Sequence, residues 1–170
     1  MLHPVSGDIL LTKAQAIAHG VGPDEHFTEG LALGLREQWP SMSRDFRHWC
    51  HQSTPKPGSV WLWSGVGNHR IFCLLTQEPA KGHGHPGRAT LENVNHCLHE
   101  LRRQVEREKI TSLALPRIAT GVGGLDWKEV HKLIHHHLET LAIPVFVYAT
   151  YQKGVAAKEP GLPAAQQAGL

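Results

Sequence analysis

Apolar residues recur along this chain with two alternating periods, and the switches between them divide it into elements. Short runs rich in β-branched, aromatic and small apolar residues occur at 15–21 (QAIAHGV), 59–63 (SVWLW), 70–76 (RIFCLLT), 111–116 (TSLALP) and 144–149 (PVFVYA). Runs of that length predict buried strands. Helical patterns fit 29–39, 41–52, 90–108 and 126–141. In the third of these, Leu91, Val94, Leu98, Leu101 and Val105 stand three or four residues apart and so share one helix face. Thr90 and Asp126 each precede a helical run, where a side-chain oxygen can cap unpaired backbone N–H groups. Strands alternating with helices predict an α/β fold, with helices covering both faces of a buried sheet. Two stretches break the pattern. Residues 77–89 (QEPAKGHGHPGRA) read as a mobile loop beside a site. From about Gln152 the chain is rich in Ala, Gly, Pro and Gln, which predicts a folded domain over 1–151 and a disordered tail over 152–170.

Composition narrows the class without naming it. A length of 170 residues suits one domain, and 41% hydrophobic with 19% charged residues is ordinary for a globular protein. No apolar run is long enough for a membrane span, and the N-terminus, MLHPVSGDIL, lacks the basic-then-apolar order of a secretory signal. Cys50, Cys73 and Cys97 form no C-x-x-C pair and read as reduced thiols of a cytoplasmic protein. The net charge of +2 is small and its basic residues are not clustered, so no strong nucleic-acid signature is present.

The most informative stretch is 116–127 (PRIATGVGGLDW), a glycine loop between a strand and a helix. Glycines let a ligand approach the main chain closely. Successive N–H groups beside a helix N-terminus make an anion cradle, so the loop predicts a phosphate or diphosphate guest. Two familiar phosphate motifs fail. No G-K-[ST] ending is present, which argues against a Walker A loop, and Asp126 stands where a dinucleotide fingerprint needs its third glycine.

Other segments add constraint. The chain opens its domain with Gly7-Asp8-Ile9-Leu10, and residues 19–32 (HGVGPDEHFTEGLA) place a second polar, glycine-bearing loop before a helix. Together with the glycine loop and the last strand, these segments resemble the macrodomain family over roughly residues 5–150. The likeness is greatest to the branch of terminal ADP-ribose protein glycohydrolase and the DNA ADP-ribosyl glycohydrolase antitoxins. That branch carries G-D-[IL], H-x-[IV]-S-x-D, M-G-A-G-I-A, P-R-[IL]-G-x-G and G-G-L-x-W. The resemblance implies a three-layer α/β/α sandwich with a mixed central sheet, binding ADP-ribose at the strand ends and needing no cofactor. Asp8 and Ile9 would then meet the adenine, flanked by Tyr148 or nearby Tyr151. The diphosphate would lie along Pro116, Ile118, Thr120, Gly121, Val122, Gly123, Gly124 and Leu125. Gly20, Val21, Thr28, Gly30 and Leu31 would close over the distal ribose.

Whether such a domain cuts or only binds depends on departures from the pattern. Hydrolases of this branch carry Thr-Lys where this chain has Thr76-Gln77, and an amide cannot form the covalent sugar adduct of an amine. Some members also place an acid at the position of Gly123. Glu29, however, stands where another hydrolase branch of macrodomains has the acid of Asp-Gly-Ala-Ile, and is the candidate for positioning the attacking water. A helix-start carboxylate is the competing reading of Glu29. The expectation is a monomeric hydrolase acting on an ADP-ribosylated protein or nucleic acid, with a non-catalytic ADP-ribose reader as the alternative. His131, His135 and Glu139 share a helix face but read as solvated rather than metal-binding, as do His83 and His85 in their loop. Trp127 is expected to anchor the last helix beneath the glycine loop.

Overall fold

The computed structural model describes residues 1–82 and 84–162. Among these residues six strands form one mixed sheet in the order β1-β6-β5-β2-β4-β3. Five of them are parallel: β1 (Leu2–Gly7), β2 (Ala16–Val21), β4 (Arg70–Leu75), β5 (Leu113–Pro116) and β6 (Val145–Tyr151). Only β3 (Val60–Ser64) runs against its neighbour β4. Helices α3 (Leu91–Arg107) and α4 (Trp127–Leu138) cover one face of the sheet, and α1 (Gly30–Gln38) and α2 (Pro40–Ser53) cover the other. The expected three-layer sandwich is the observed one.

Each layer follows from the side chains it buries. The predicted stripe of α3 sends Val94, Leu98, Leu101 and Val105 into a core shared with Val130, Ile134 and Leu138 of α4 and with Phe72 and Leu115 of the sheet. Leu91, at the head of that stripe, stays exposed. On the opposite face Phe46 of α2 packs edge-on to Phe27 and against the rings of Trp49 and Trp61. Both expected caps are made: Thr90 accepts from the Asn93 N–H at 3.0 Å and Asp126 from the Lys128 N–H at 3.3 Å. Replacing Thr90 with alanine is expected to lower the unfolding free energy by about 1 kcal/mol. A lower urea midpoint at unchanged m-value is the readout.

Two sequence expectations need correction. Strand β1 was absent from the predicted runs because Pro4 and polar Ser6 interrupt its apolar pattern. It lies at the sheet edge, where a proline lacking its N–H is tolerated, and it pairs only with β6. The tail expected to be disordered is held against the domain over residues 152–162. Its Leu162 is buried in the α1/α2-side core, with Ala157 packed on the same cluster. The physical reason is that a few apolar contacts, from Ala157 and Leu162, combine with hydrogen bonds from Gln152 and Gly154 to the end of β1 and from Asp8 back to Val155. Residues 163–170 of the expected tail lie outside the described residues, as does His83.

Candidate functional site

A cavity of about 780 Å³ opens at the carboxyl ends of β2, β4 and β5. After β2 the chain builds β3 and β4 on one side and then returns to place β5 on the other. Open α/β sheets gather ligands at such a switch point. Three loops wall it: 24–32 after β2, 77–87 after β4, and 116–123 after β5.

The glycine loop is shaped by a few internal bonds. Gly124 donates to the Gly121 carbonyl at 3.0 Å, Leu125 to the Ala119 carbonyl at 3.0 Å, and the Thr120 hydroxyl to the Arg117 carbonyl at 2.8 Å. Among the described residues, the N–H groups of Ala119, Thr120, Gly121, Val122 and Gly123 donate to no protein acceptor. Unpaired main-chain donors clustered on a cavity wall are the chemistry of an anion cradle. Ala119 takes a left-handed conformation (φ 65°), as does Phe27 (φ 57°) in the opposite loop. Two of the three loops that wall the cavity thus hold a non-glycine residue in a costly backbone state, as functional sites often do. Two arginines sit close by. Arg117 lines the cavity with its guanidinium over the Trp127 ring at 5.2 Å, and an Arg88 amino group approaches the Gly124 carbonyl at 3.5 Å. Trp127 itself packs on the α3/α4-side core, as expected of an anchor.

Across the cavity, Glu29 precedes α1 in an extended conformation and its side chain makes no capping bond. Glu29 does stand at the start of α1, where the competing reading of a helix-start carboxylate places it, and the same exposed residue lines the cavity wall. Gln77 lines the same space. Asp24 fastens the 77–89 loop by accepting the Ala80 N–H at 2.7 Å, while Ala89 donates to the Gly123 carbonyl at 3.1 Å. That loop is therefore tied to both other walls.

At the cavity floor His19 Nε2 lies 3.2 Å from Cys73 Sγ, and both side chains are buried. Burial lowers the His19 pKa to about 4 and holds the Cys73 thiol well above its usual range. A neutral imidazole beside a neutral thiol is a structural pair, without the thiolate that nucleophilic attack requires. The unfolded chain binds a proton at His19 near pH 6.5, whereas the folded chain does so only near pH 4. His19 thus leaves stability undiminished above pH 6.5 and removes up to about 3 kcal/mol as pH falls from 6.5 to 4. Urea titrations at pH 7.5 and pH 4.5 should show the wild-type loss reduced in His19→Gln.

The site residues expected from sequence divide into two groups. Gly20, Thr28, Glu29, Gly30, Leu31, Gln77, Pro116, Ile118, Gly121, Val122 and Gly123 line the cavity. Val21, Thr120, Gly124 and Leu125 belong to the same segments without lining it. Asp8, Ile9 and Tyr148 lie farther along the strand ends, at β1 and β6, and are buried. Tyr151, the other adenine candidate, is exposed at the end of β6. Sequence reasoning assigned no role to His19, Asp24, Arg88 or Arg117. Asp24 and Arg117 stand inside the motifs already quoted, so position alone could have flagged them. Glu139, weighed beside His131 and His135, accepts the Leu2 N–H at 3.1 Å and ties α4 to β1.

A parallel-rich sheet with both faces covered and an anion cradle at its switch point defines an α/β ligand-cleft domain. A family model, Macro domain, matches residues 26–134, and the chain belongs to that family. Among curated relatives, DNA ADP-ribosyl glycohydrolase of Thermus aquaticus is 28% identical over 149 residues, covering 87% of this chain and 41% of its own length. The human ADP-ribose glycohydrolase OARD1 is 24% identical, covering 85% of this chain and 88% of that protein. The chain thus spans about two-fifths of the bacterial relatives it matches and most of the human one. The solved macrodomain of Thermus aquaticus DarG is similar at a TM-score of 0.76 and 26% identity, covering 88% of this chain and 98% of that one. Thermosipho africanus DarTG in complex with ADP-ribose shares the fold at a TM-score of 0.77 and 22% identity, over 97% of this chain and 44% of that one.

Proposed function

We propose that this chain binds ADP-ribose and hydrolyses the bond joining it to a modified macromolecule. The observation that carries the reading is the run of unpaired N–H groups from Ala119 to Gly123 on one wall of a cavity whose opposite wall bears the Glu29 carboxylate. The diphosphate lies in that cradle, with Arg117 and Arg88 offsetting its charge. The distal ribose lies between Glu29 and Gln77, and the adenine points along the strand ends toward Asp8. A water held by Glu29 attacks the anomeric carbon. The bond from that carbon to the oxygen or nitrogen of the macromolecule breaks, its electron pair leaving on that atom. The proton of the water passes through Glu29 to the leaving group, giving free ADP-ribose and the unmodified macromolecule. Further support comes from the relatives, which are named as ADP-ribose and DNA ADP-ribosyl glycohydrolases.

Gln77, in the place of the branch lysine, favours the second reading, a reader that binds without cutting. Titration calorimetry with ADP-ribose tests what the two readings share, and no heat at millimolar ligand would sink both. Release of ADP-ribose from automodified protein and from modified DNA separates them, with turnover expected on at least one. The free thiols Cys50, Cys73 and Cys97 fit a reducing compartment, and we read the chain as cytoplasmic.

A further inference from the structure

The cradle leaves one end of the cleft in an unexpected state. Beyond the glycine loop, the carboxyl ends of the strands continue through β6 to β1, where the chain turns at Asp8. A nucleotide with its diphosphate in the cradle and its distal ribose near Glu29 has only that direction left for its base. That end is covered by the chain itself. After β6, Gln152 donates to the Gly7 carbonyl at 3.1 Å and Gly154 donates to Asp8 Oδ2 at 3.0 Å. The Asp8 N–H donates in turn to the Val155 carbonyl at 2.7 Å. The other carboxylate oxygen of Asp8 already accepts the Leu10 N–H at 3.0 Å. The turn therefore presents a donor and an acceptor side by side to Asp8, the pairing that the polar edge of an adenine offers. Farther along, the Glu159 carboxylate accepts from the hydroxyls of Thr12 and Tyr148 and from the Lys13 N–H, pinning the segment down.

We propose that residues 152–162 form a strap that occupies the base end of the cleft and that an adenine nucleotide must displace to bind. The strap sets the ligand preference of the site, because it taxes ligands that carry a base and spares those that end at the diphosphate. This inference rests on the ADP-ribose reading. It adds a built-in competitor at Asp8 whose release is needed for full affinity.

The test compares the whole chain with Gly154→Pro, which removes the donor to Asp8 and cannot adopt the φ of 72° found there. Gly154 is exposed, beyond the last strand. Calorimetry with ADP-ribose and with ribose 5-phosphate is run on both proteins. The expected result is roughly tenfold tighter ADP-ribose binding in the variant, the scale of one or two lost hydrogen bonds, with ribose 5-phosphate unchanged. Equal or weaker ADP-ribose binding by the variant overturns the strap alone. Failure of both proteins to bind ADP-ribose overturns the functional reading and the strap with it. Hydrogen exchange on the unaltered chain gives an independent readout. Exchange at the Gly154 amide should speed up when ADP-ribose is added, and slowing there would mean the strap closes over the ligand instead of yielding to it.

Discussion

Glu29→Gln is expected to slow the release of ADP-ribose from a modified substrate by about 10²–10⁴-fold, the range contributed by a positioned general base. Affinity for free ADP-ribose should change by no more than about threefold, since the charge acts on the attacking water rather than on the ligand held in the ground state. The backbone explains why this carboxylate is available. Glu29 is extended (φ −154°, ψ 164°), Gly30 then turns through φ 60°, and helix α1 starts without drawing the side chain into a cap. Among the described residues the Glu29 side chain has neither a hydrogen bond nor a salt bridge to hold it elsewhere, although its main-chain carbonyl accepts the Leu33 N–H at 3.2 Å. Glutamine keeps the shape and a hydrogen-bonding oxygen but cannot take the proton. Single-turnover release and calorimetry on the same preparation separate the two effects. Loss of affinity matching the loss of turnover would make Glu29 a binding residue, and undiminished turnover would remove it from the chemistry.

Gly123→Ala is expected to weaken ADP-ribose binding by about 100-fold, as two main-chain bonds to an anionic diphosphate are misaligned. A Cβ at Gly123 would lie 2.6 Å from the Ala119 carbonyl oxygen and 2.8 Å from Ala89 Cβ. The first of these is backbone, so the loop must move as a whole. That movement strains the Leu125 bond to Ala119 and the Ala89 bond to Gly123, at a stability cost of about 1–3 kcal/mol. Gly121→Ala is the matched comparison. No atom lies within 4 Å of its Cβ and its φ is not positive, so stability should be unchanged. Thermal unfolding of both variants, followed by calorimetry at a temperature where each is folded, reads the two quantities apart. The same crowding accounts for the departure noted at this position: the loop of this chain has no room for the acid that some relatives carry there.

Much of the fold was legible in the residues. The stripe from Val94 to Val105 could only bury on one helix face, and the runs at 70–76 and 144–149 carried too many apolar residues to remain in water. Thr90 and Asp126 marked helix starts that the main chain then used. The glycine loop was legible as a candidate cradle too, because glycines between a strand and a helix let a ligand approach the main chain closely. Local chemistry decides such features, and local chemistry is what a sequence records.

Other features needed the tertiary structure. Strand β1 is a strand because β6 offers it a partner across a separation of more than 140 residues, which Pro4 and Ser6 conceal. Asp24 matters through a bond to Ala80, and His19 through a floor that keeps it dry beside Cys73. Residues 152–162 have the composition of a solvated tail, yet Asp8, Thr12 and Tyr148 gather the groups that hold them down. By itself the sequence determined, among the described residues, the four α-helices and five of the six strands, and it marked the glycine loop as the place where a diphosphate-sized anion is expected. Only the tertiary structure decided which residues share a cavity and which end of it the chain covers. Those outcomes depend on contacts between segments far apart in sequence, where no local pattern carries the information.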